Sequence, residues 1–280
     1  MKKLFLCSFA SQDLKNSVKR FIKQSNETDF YKDVKIFGWN DLSSNKKKQI
    51  NFFFEKNNKR LFGYACWKPE IILNYLNEIP EGSILQYSDI GCHLNKSGLE
   101  RLKYYLDIME GNNILAFQYK NPDFKIKKKL KFQVYYEKEY TKKDLFDYFE
   151  IPKESNISNS EQVWSGSMFF KNNIKTKIFL KKWLEVCNIS RLIDDSQSVS
   201  KNYNEFIEHR HDQSVFSLLC KLNNIALLSA SECEWAEDEK GRYWSHLNEY
   251  PILAKRDKKL NIIKRFFSRQ LRNIRRILKK

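Results

Sequence analysis

The sequence predicts an α/β fold: an open, mostly parallel sheet flanked by helices, with a basic amphipathic C-terminal helix after it. Three observations carry that expectation. Short apolar runs alternate with segments of helical period from Leu4 to Leu228, the pattern that builds a parallel sheet. The run from Ile84 to Tyr87 stops on Asp89, with Gly91 two residues later, and open α/β sheets hold ligands at such strand tips. From Lys255 to Lys280 there are twelve Lys or Arg residues and one acid, Asp257, a block unlike the rest of the chain.

Each element has its own signal. Leu4 to Phe9 is a first strand. Lys2 and Lys3 precede it, but the run breaks at Ser8 with no small-residue cleavage site after it, so it does not read as a signal peptide. A helix follows from about Gln12 to Lys23, then a strand from Val34 to Phe37 and a helix from Lys46 to Lys56. Lys68-Pro69 opens another helix, because proline is tolerated in a first turn and Ile71, Ile72, Tyr75, Leu76 and Ile79 follow at helical spacing. The Ile84 to Tyr87 strand comes next, then a helix from Lys96 to Met109 and a strand from Ile114 to Phe117. Lys125 to Lys131 is too charged for core and reads as an exposed loop or edge. Val163 to Phe170 reads as a strand interrupted by Ser-Gly-Ser, Ile174 to Cys187 and Asp212 to Leu222 as helices, and Ile225 to Leu228 as a strand that follows.

Composition narrows the class. A chain of 280 residues with 41% hydrophobic and 15% aromatic residues can bury a sizeable core and is not globally disordered. Six cysteines form no CxxC pair and no zinc spacing, the usage expected of a reducing cytoplasm. No run is long enough to cross a bilayer. The net charge is +17, and the tail holds much of it. There Ile262, Ile263, Phe266, Phe267, Leu271, Ile274, Ile277 and Leu278 fall on one half of a helical wheel, and Lys264, Arg265, Arg269, Arg272, Arg275, Arg276 and Lys279 on the other. Such a helix fits an anionic membrane surface first, packing on its own domain second and nucleic acid third. The expected division is therefore 1–255 for the α/β domain and 256–280 for the basic helix.

Four runs then resemble one family: Phe62-Gly-Tyr-Ala-Cys-Trp-Lys-Pro69, Tyr87-Ser-Asp89-Ile-Gly91-Cys92, Trp164-Ser-Gly166-Ser-Met-Phe-Phe170 and Arg210-His-Asp212-Gln213-Ser214. In that order they are similar to landmarks of bacterial nucleotide-sugar glycosyltransferases with the GT-A fold, of the kind encoded with capsule and surface-glycan genes. The resemblance runs from Met1 to about Arg256. It implies that the loop after the first strand, with Ser8, Phe9, Ala10 and Ser11, holds the nucleotide base. It implies that Asp89, with Tyr87 and Gly91, meets the sugar diphosphate and a divalent cation, Mn²⁺ or Mg²⁺. Trp164, Ser165, Gly166, His211 and Gln213 would line the sugar and acceptor side.

One departure matters. The family's Asp-x-Asp is Asp89-Ile90-Gly91 here, so a second carboxylate is missing. A hard cation can use one carboxylate with diphosphate oxygens and waters, and His246 is a candidate late ligand. His93 reads as a local hydrogen-bonding group. Lys68, at a helix start, is a candidate phosphate contact or a surface lysine. Asp212 is a candidate general base for an inverting enzyme, a sugar-binding carboxylate for a retaining one, and also a good helix N-cap.

The resulting expectation is a glycosyltransferase that takes a nucleotide-sugar donor and extends a lipid-linked or surface glycan. The tail would hold it at the inner face of the cell membrane, with no nucleic-acid partner. Two other classes compete: a non-catalytic basic adaptor acting through the tail, and a metal phosphohydrolase built on His209-Arg-His211-Asp212. The second needs an all-helical domain, against the strand signals at Leu4, Ile84 and Val163.

Overall fold

The apolar runs become the sheet. The computed structural model describes residues 4–56, 58–122 and 130–255. Its strands are β1 (Leu4–Phe9), β2 (Asp33–Phe37), β3 (Ile84–Ser88), β4 (His93–Leu94), β5 (Ile114–Gln118), β6 (Val163–Lys171), β7 (Ala226–Ser229), β8 (Ala236–Asp238), β9 (Gly241–Tyr243) and β10 (Ile252–Leu253). Six form the central sheet, in the order β2-β1-β3-β6-β5-β7. β1 pairs in parallel with β2 and β3, and β5 with β7, while β6 runs antiparallel to both of its neighbours. The C-terminal ends of β1, β2, β3, β5 and β7 and the start of β6 thus share one edge.

The helices are α1 (Lys15–Thr28), α2 (Ser44–Glu55), a single turn α3 (Leu61–Tyr64), α4 (Lys68–Glu78), α5 (Leu99–Gly111), α6 (Glu137–Tyr140), α7 (Lys143–Tyr148), α8 (Ile174–Cys187), α9 (Ser190–Ile193) and α10 (Asp212–Leu222). Alternation along each strand sends side chains to two helical layers. Phe5, Cys7, Phe9, Leu85, Tyr87, Met168 and Phe170 share one core with residues of α4, α8 and α10. On the other face Leu4, Ile84, Leu115, Phe117 and Phe169 pack with Leu102, Tyr105 and Met109 of α5. Leu6 packs there with Phe21 of α1.

Two expectations change in detail. The helix placed at 12–23 is a 3₁₀ turn followed by α1, which runs on to Thr28. Its polar end persists because the Ser25 and Thr28 hydroxyls donate to carbonyls one turn back, those of Ile22 and Ser25. The 163–170 strand is continuous along β3. Its register against β5 slips between the pairs Leu115–Phe169 and Phe117–Trp164, so residues 165–168 bulge there. Ser-Gly-Ser therefore marks a bulge, which re-aims side chains beside the sheet edge. Of the segment 125–131, Leu130 and Lys131 lie among the described residues; Lys131 is exposed and pairs with Glu237. The basic tail, 256–280, lies outside the described residues.

All six cysteines are buried and free. Among the described residues no helix is long and apolar enough to cross a membrane.

Candidate active site

Four local features converge on the shared edge. β3 ends at Ser88 and delivers Asp89; α4 begins at Lys68, with Pro69 in its first turn; α10 begins at Asp212; the β6 bulge delivers Ser165. Lys68 Nζ lies 2.8 Å from Asp212 Oδ2 and 3.4 Å from Asp89 Oδ1. It also donates to the Ser165 carbonyl at 2.9 Å and to Ser165 Oγ at 3.3 Å. Ser165 Oγ donates onward to Asp212 Oδ2 at 2.9 Å, and Tyr87 Oη donates to Asp89 Oδ1 at 2.7 Å. The Tyr87 ring centroid sits 5.2 Å from the ammonium.

Burial separates the two carboxylates. The Lys68 and Asp212 side chains are each 4% exposed, whereas Asp89 is 47% exposed. Burial pushes the Asp212 carboxyl above its usual range, against the pull of Lys68. Burial works downward on Lys68, but the Asp212 and Asp89 charges outweigh it and hold the ammonium above its usual range. With two carboxylates and one ammonium the group carries a net negative charge, and its solvent-facing member is Asp89.

The backbone around Asp89 is set by its neighbours. The Asp89 N–H donates to the Gly166 carbonyl at 2.8 Å. A Cβ on Gly166 would lie 2.2 Å from the Trp164 indole, so the indole occupies the space any side chain would need. Trp164, Ser165 and Gly166 are thus brought to Asp89, Lys68 and Asp212.

The predicted base-binding loop lies at the end of β1. Ala10 and Ser11 line a groove of about 510 Å³ together with Lys15, Trp39, Asn40 and Asp41. Ser8 is buried, with no hydrogen-bond partner for its hydroxyl. Phe9 stacks on Trp67 at 3.9 Å, one residue before Lys68, and so joins the β1 tip to the Lys68 group. Sequence reasoning missed Trp39 and Asp41; the Gly-Trp-Asn-Asp turn directly after β2 was the available signal. A larger cavity of about 710 Å³ opens beside α2, α4 and α8. It holds none of the predicted residues: Lys46 there is spent on the Gln49 and Asn188 amides, and Glu70 on Ser43.

Other predicted residues are engaged elsewhere. His211 donates from Nδ1 to the Ile193 carbonyl at 2.7 Å. Gln213 donates to Gln162 at 2.9 Å, within a buried polar network that includes Glu137 and Ser214. His246 donates from Nε2 to the carbonyls of Ser231 and Glu234, at 3.2 and 3.1 Å. Its ring packs on Tyr243 and Phe132. His93 meets the Gln24 side chain of α1 at 3.2 Å, a tertiary contact and not a local bond. Arg210 lies over the rings of Tyr135 and Tyr140. His209 has both ring nitrogens on backbone groups, of Leu192 and Lys142, so in this run only His211, through Nε2, keeps a ring nitrogen without a hydrogen-bond partner; strands β1, β3 and β6 are at odds with the all-helical domain that a His-Asp metal site needs.

A divalent cation would find a thin donor set. Gly91 offers no side-chain ligand, His246 spends Nε2 as a donor and keeps only a buried Nδ1 without a partner, and among the described residues no group of three His, Cys, Asp or Glu could hold a metal. Asp89 fits as a single exposed carboxylate ligand, its Oδ1 shared with Tyr87 and Lys68.

Comparison with known proteins gives likenesses of structure. The chain is similar to a glycosyltransferase involved in glycosylation of the major capsid of PBCV-1, at 9% identity and a TM-score of 0.49, over 96% of this chain and 99% of that one. Mouse xyloside xylosyltransferase 1 is similar at 9% identity and a TM-score of 0.42, over 83% of this chain and 87% of that one. The galactosyltransferase LgtC, solved with donor and acceptor sugar analogs, is similar at 12% identity and a TM-score of 0.41, over 82% and 74% of the two chains. No family model and no curated protein matches. All three scores lie below 0.5, and the functional reading rests on the site's own residues.

Proposed function

We propose that the chain is a nucleotide-sugar glycosyltransferase whose donor lies along the shared strand-end edge. One observation carries the reading: a half-exposed strand-tip carboxylate, Asp89, is tied through Lys68 to Asp212 and stands on the same sheet edge as the groove after β1. In this reading Ser8, Phe9, Ala10 and Ser11 shape the base end, and Trp39 and Asp41 add a flat ring and an acceptor group there. Asp89, with Tyr87 and Gly91 beside it, meets the diphosphate end of the donor.

Charge decides the supporting roles. The net negative Lys68–Asp89–Asp212 group repels a bare diphosphate, so Asp89 would hold a divalent cation together with diphosphate oxygens and waters. Such a cation stabilises charge on the departing diphosphate. The three N–H groups of Lys68 are spent on Asp212, Ser165 and Asp89, so Lys68 orients Asp89 and does not reach phosphate itself. Asp212, buried beneath it, fixes Lys68. Trp164, Ser165 and Gly166 form the wall on the sugar side. The acceptor is a hydroxyl of a lipid-linked or surface glycan, and the basic face of 261–280 holds the enzyme at an anionic membrane surface. Tethering of that kind raises the effective concentration of a membrane-bound acceptor.

The test is thermal stability against a panel of nucleoside diphosphates, with and without Mn²⁺. The reading expects a selective upward shift with one base, because a ligand of the native state stabilises it, and loss of its Mn²⁺-dependent part in Asp89→Ala. No shift with any nucleotide in folded protein would overturn it. For the tail, full-length protein should sediment with vesicles containing phosphatidylserine and a chain ending at 255 should not.

A further inference from the structure

Two strained segments meet behind the Lys68–Asp212 pair. Leu61, Phe62, Gly63, Tyr64 and Ala65 all have positive φ, between 49° and 82°. Their backbone N–H groups still close helical bonds, Tyr64 to Arg60 and Ala65 to Leu61, so the segment is a left-handed turn. Left-handed conformation costs a non-glycine residue roughly 1–2 kcal/mol, and only Gly63 escapes that cost. Gly63 is required for a second reason, since a Cβ there would lie 2.8 Å from Ile50. The other strained residue is His211, at φ 56° and ψ −124°, a region favoured only by glycine. Backbone strain of this kind persists where surrounding contacts over-determine it, and it gathers at functional sites.

The contacts that hold His211 are specific. Its side chain is 1% exposed, its Nδ1 donates to Ile193, and its ring centroid lies 4.6 Å from that of Tyr64. Nε2 has no hydrogen-bond partner and stands 3.7 Å from Asp195. Asp195 in turn takes Asn58 and Arg60, at 3.2 Å each, from the chain leading into the left-handed turn. The covalent neighbours are what matter. His211 precedes Asp212 directly, and Tyr64 stands four residues before Lys68, joined to it through the Lys68 N–H to Ala65 carbonyl bond of 3.0 Å. The Tyr64–His211 contact therefore ties together the two backbones that carry the buried ion pair.

We infer that His211 is a positioning residue: its ring, clamped between Tyr64 and the Ile193 carbonyl, holds Asp212 against Lys68 at the cost of its own backbone strain. Glycine adopts this φ freely, so the strain at this position is carried for the sake of the ring and its contacts. His211 occupies the position despite the strain because the ring does a task that glycine cannot. The role in catalysis rests on the glycosyltransferase reading; the role in holding the ion pair does not.

The test uses full-length protein and His211→Gly. Relief of strain and loss of buried ring volume oppose one another, so the thermal midpoint should move little. The decisive readout is hydrogen exchange of the Lys68 ammonium, followed by ¹⁵N NMR and assigned by its loss in Lys68→Met. The ammonium of Lys46, buried and held by the Gln49 and Asn188 amides, serves as the internal reference. Exchange at Lys68 should become at least about tenfold faster in His211→Gly, with the reference unmoved, as expected for local opening. Tyr64→Phe, which keeps the ring, should retain slow exchange, and Tyr64→Ala should lose it. If His211→Gly unfolds, the Tyr64 pair decides. Slow Lys68 exchange in His211→Gly or in Tyr64→Ala would overturn the inference. Once a donor is known, kcat should fall in His211→Gly with KM for the donor little changed. Wild-type protein that turns over no nucleotide sugar would sink the enzymatic reading while the exchange result stands on its own.

Discussion

Lys68 Nζ and Asp212 Oδ2 stand 2.8 Å apart with both side chains all but sealed from solvent. The contact joins the first residue of α4 to the first residue of α10. Removing one partner of such a pair leaves an uncompensated buried charge, which costs about 3–5 kcal/mol. Lys68→Met and Asp212→Leu should each lower stability by that order in chemical denaturation. The double variant should be less destabilised than the sum, because it leaves no orphaned charge. Additive losses would show that the two side chains do not interact as described.

Asp89 belongs to the same group but faces solvent. Asp89→Ala takes the acceptor from the buried Tyr87 hydroxyl and leaves Lys68 with Asp212 alone, so it should cost about 1–3 kcal/mol, less than loss of either member of the buried pair. Its effect should also fall on function, with loss of Mn²⁺-dependent nucleotide binding and a drop in turnover of at least about a hundredfold. Calorimetric titration with the nucleotide selected in the thermal panel separates the two effects.

Gly166→Ala is a packing prediction. The new methyl would meet the Trp164 indole at 2.2 Å and disturb the carbonyl that receives the Asp89 N–H. Overpacking in such a place costs about 1–3 kcal/mol. Trp164→Leu in the same chain should recover part of that loss, and a failure to recover would mean the strain lies in the backbone instead.

Acid should weaken the fold through its histidines. Burial, aided by Arg60 and opposed by Asp195, pushes the His211 imidazole down from 6.5 to about 4. Burial also lowers His209 and His246. A histidine depressed in the folded state binds its proton more readily when unfolded. Its stabilising contribution is complete above pH 6.5 and is lost as pH falls toward 4. Asp212, raised by burial, works in the opposite sense and softens the decline. His211→Asn should show a shallower loss of thermal midpoint over that window than the native chain, and parallel curves would refute the assignment.

Much of the fold was legible as periodicity. The bounds of β1, α8 and α10 match the apolar runs because each element buries one full face or both, and burial is what the pattern records. Asp89 was legible for a related reason: a carboxylate directly after a buried strand has few places to be except at a sheet edge. Short elements such as β4, β8, β9 and α6 were missed, since two to four residues hold no period to detect.

What the sequence by itself determined is the alternation of strands and helices, the strand-tip carboxylate and the charge of the tail. These depend on local spacing and composition. Tertiary structure alone decided that Lys68 is a buried partner of two aspartates and not a surface lysine. It also decided that His211 and Gln213 turn to backbone and buried amides, and that β6 runs against its neighbours with a bulge at Ser165. Each of these depends on residues 18 to 144 positions apart meeting with particular directions, and no local pattern carries that information.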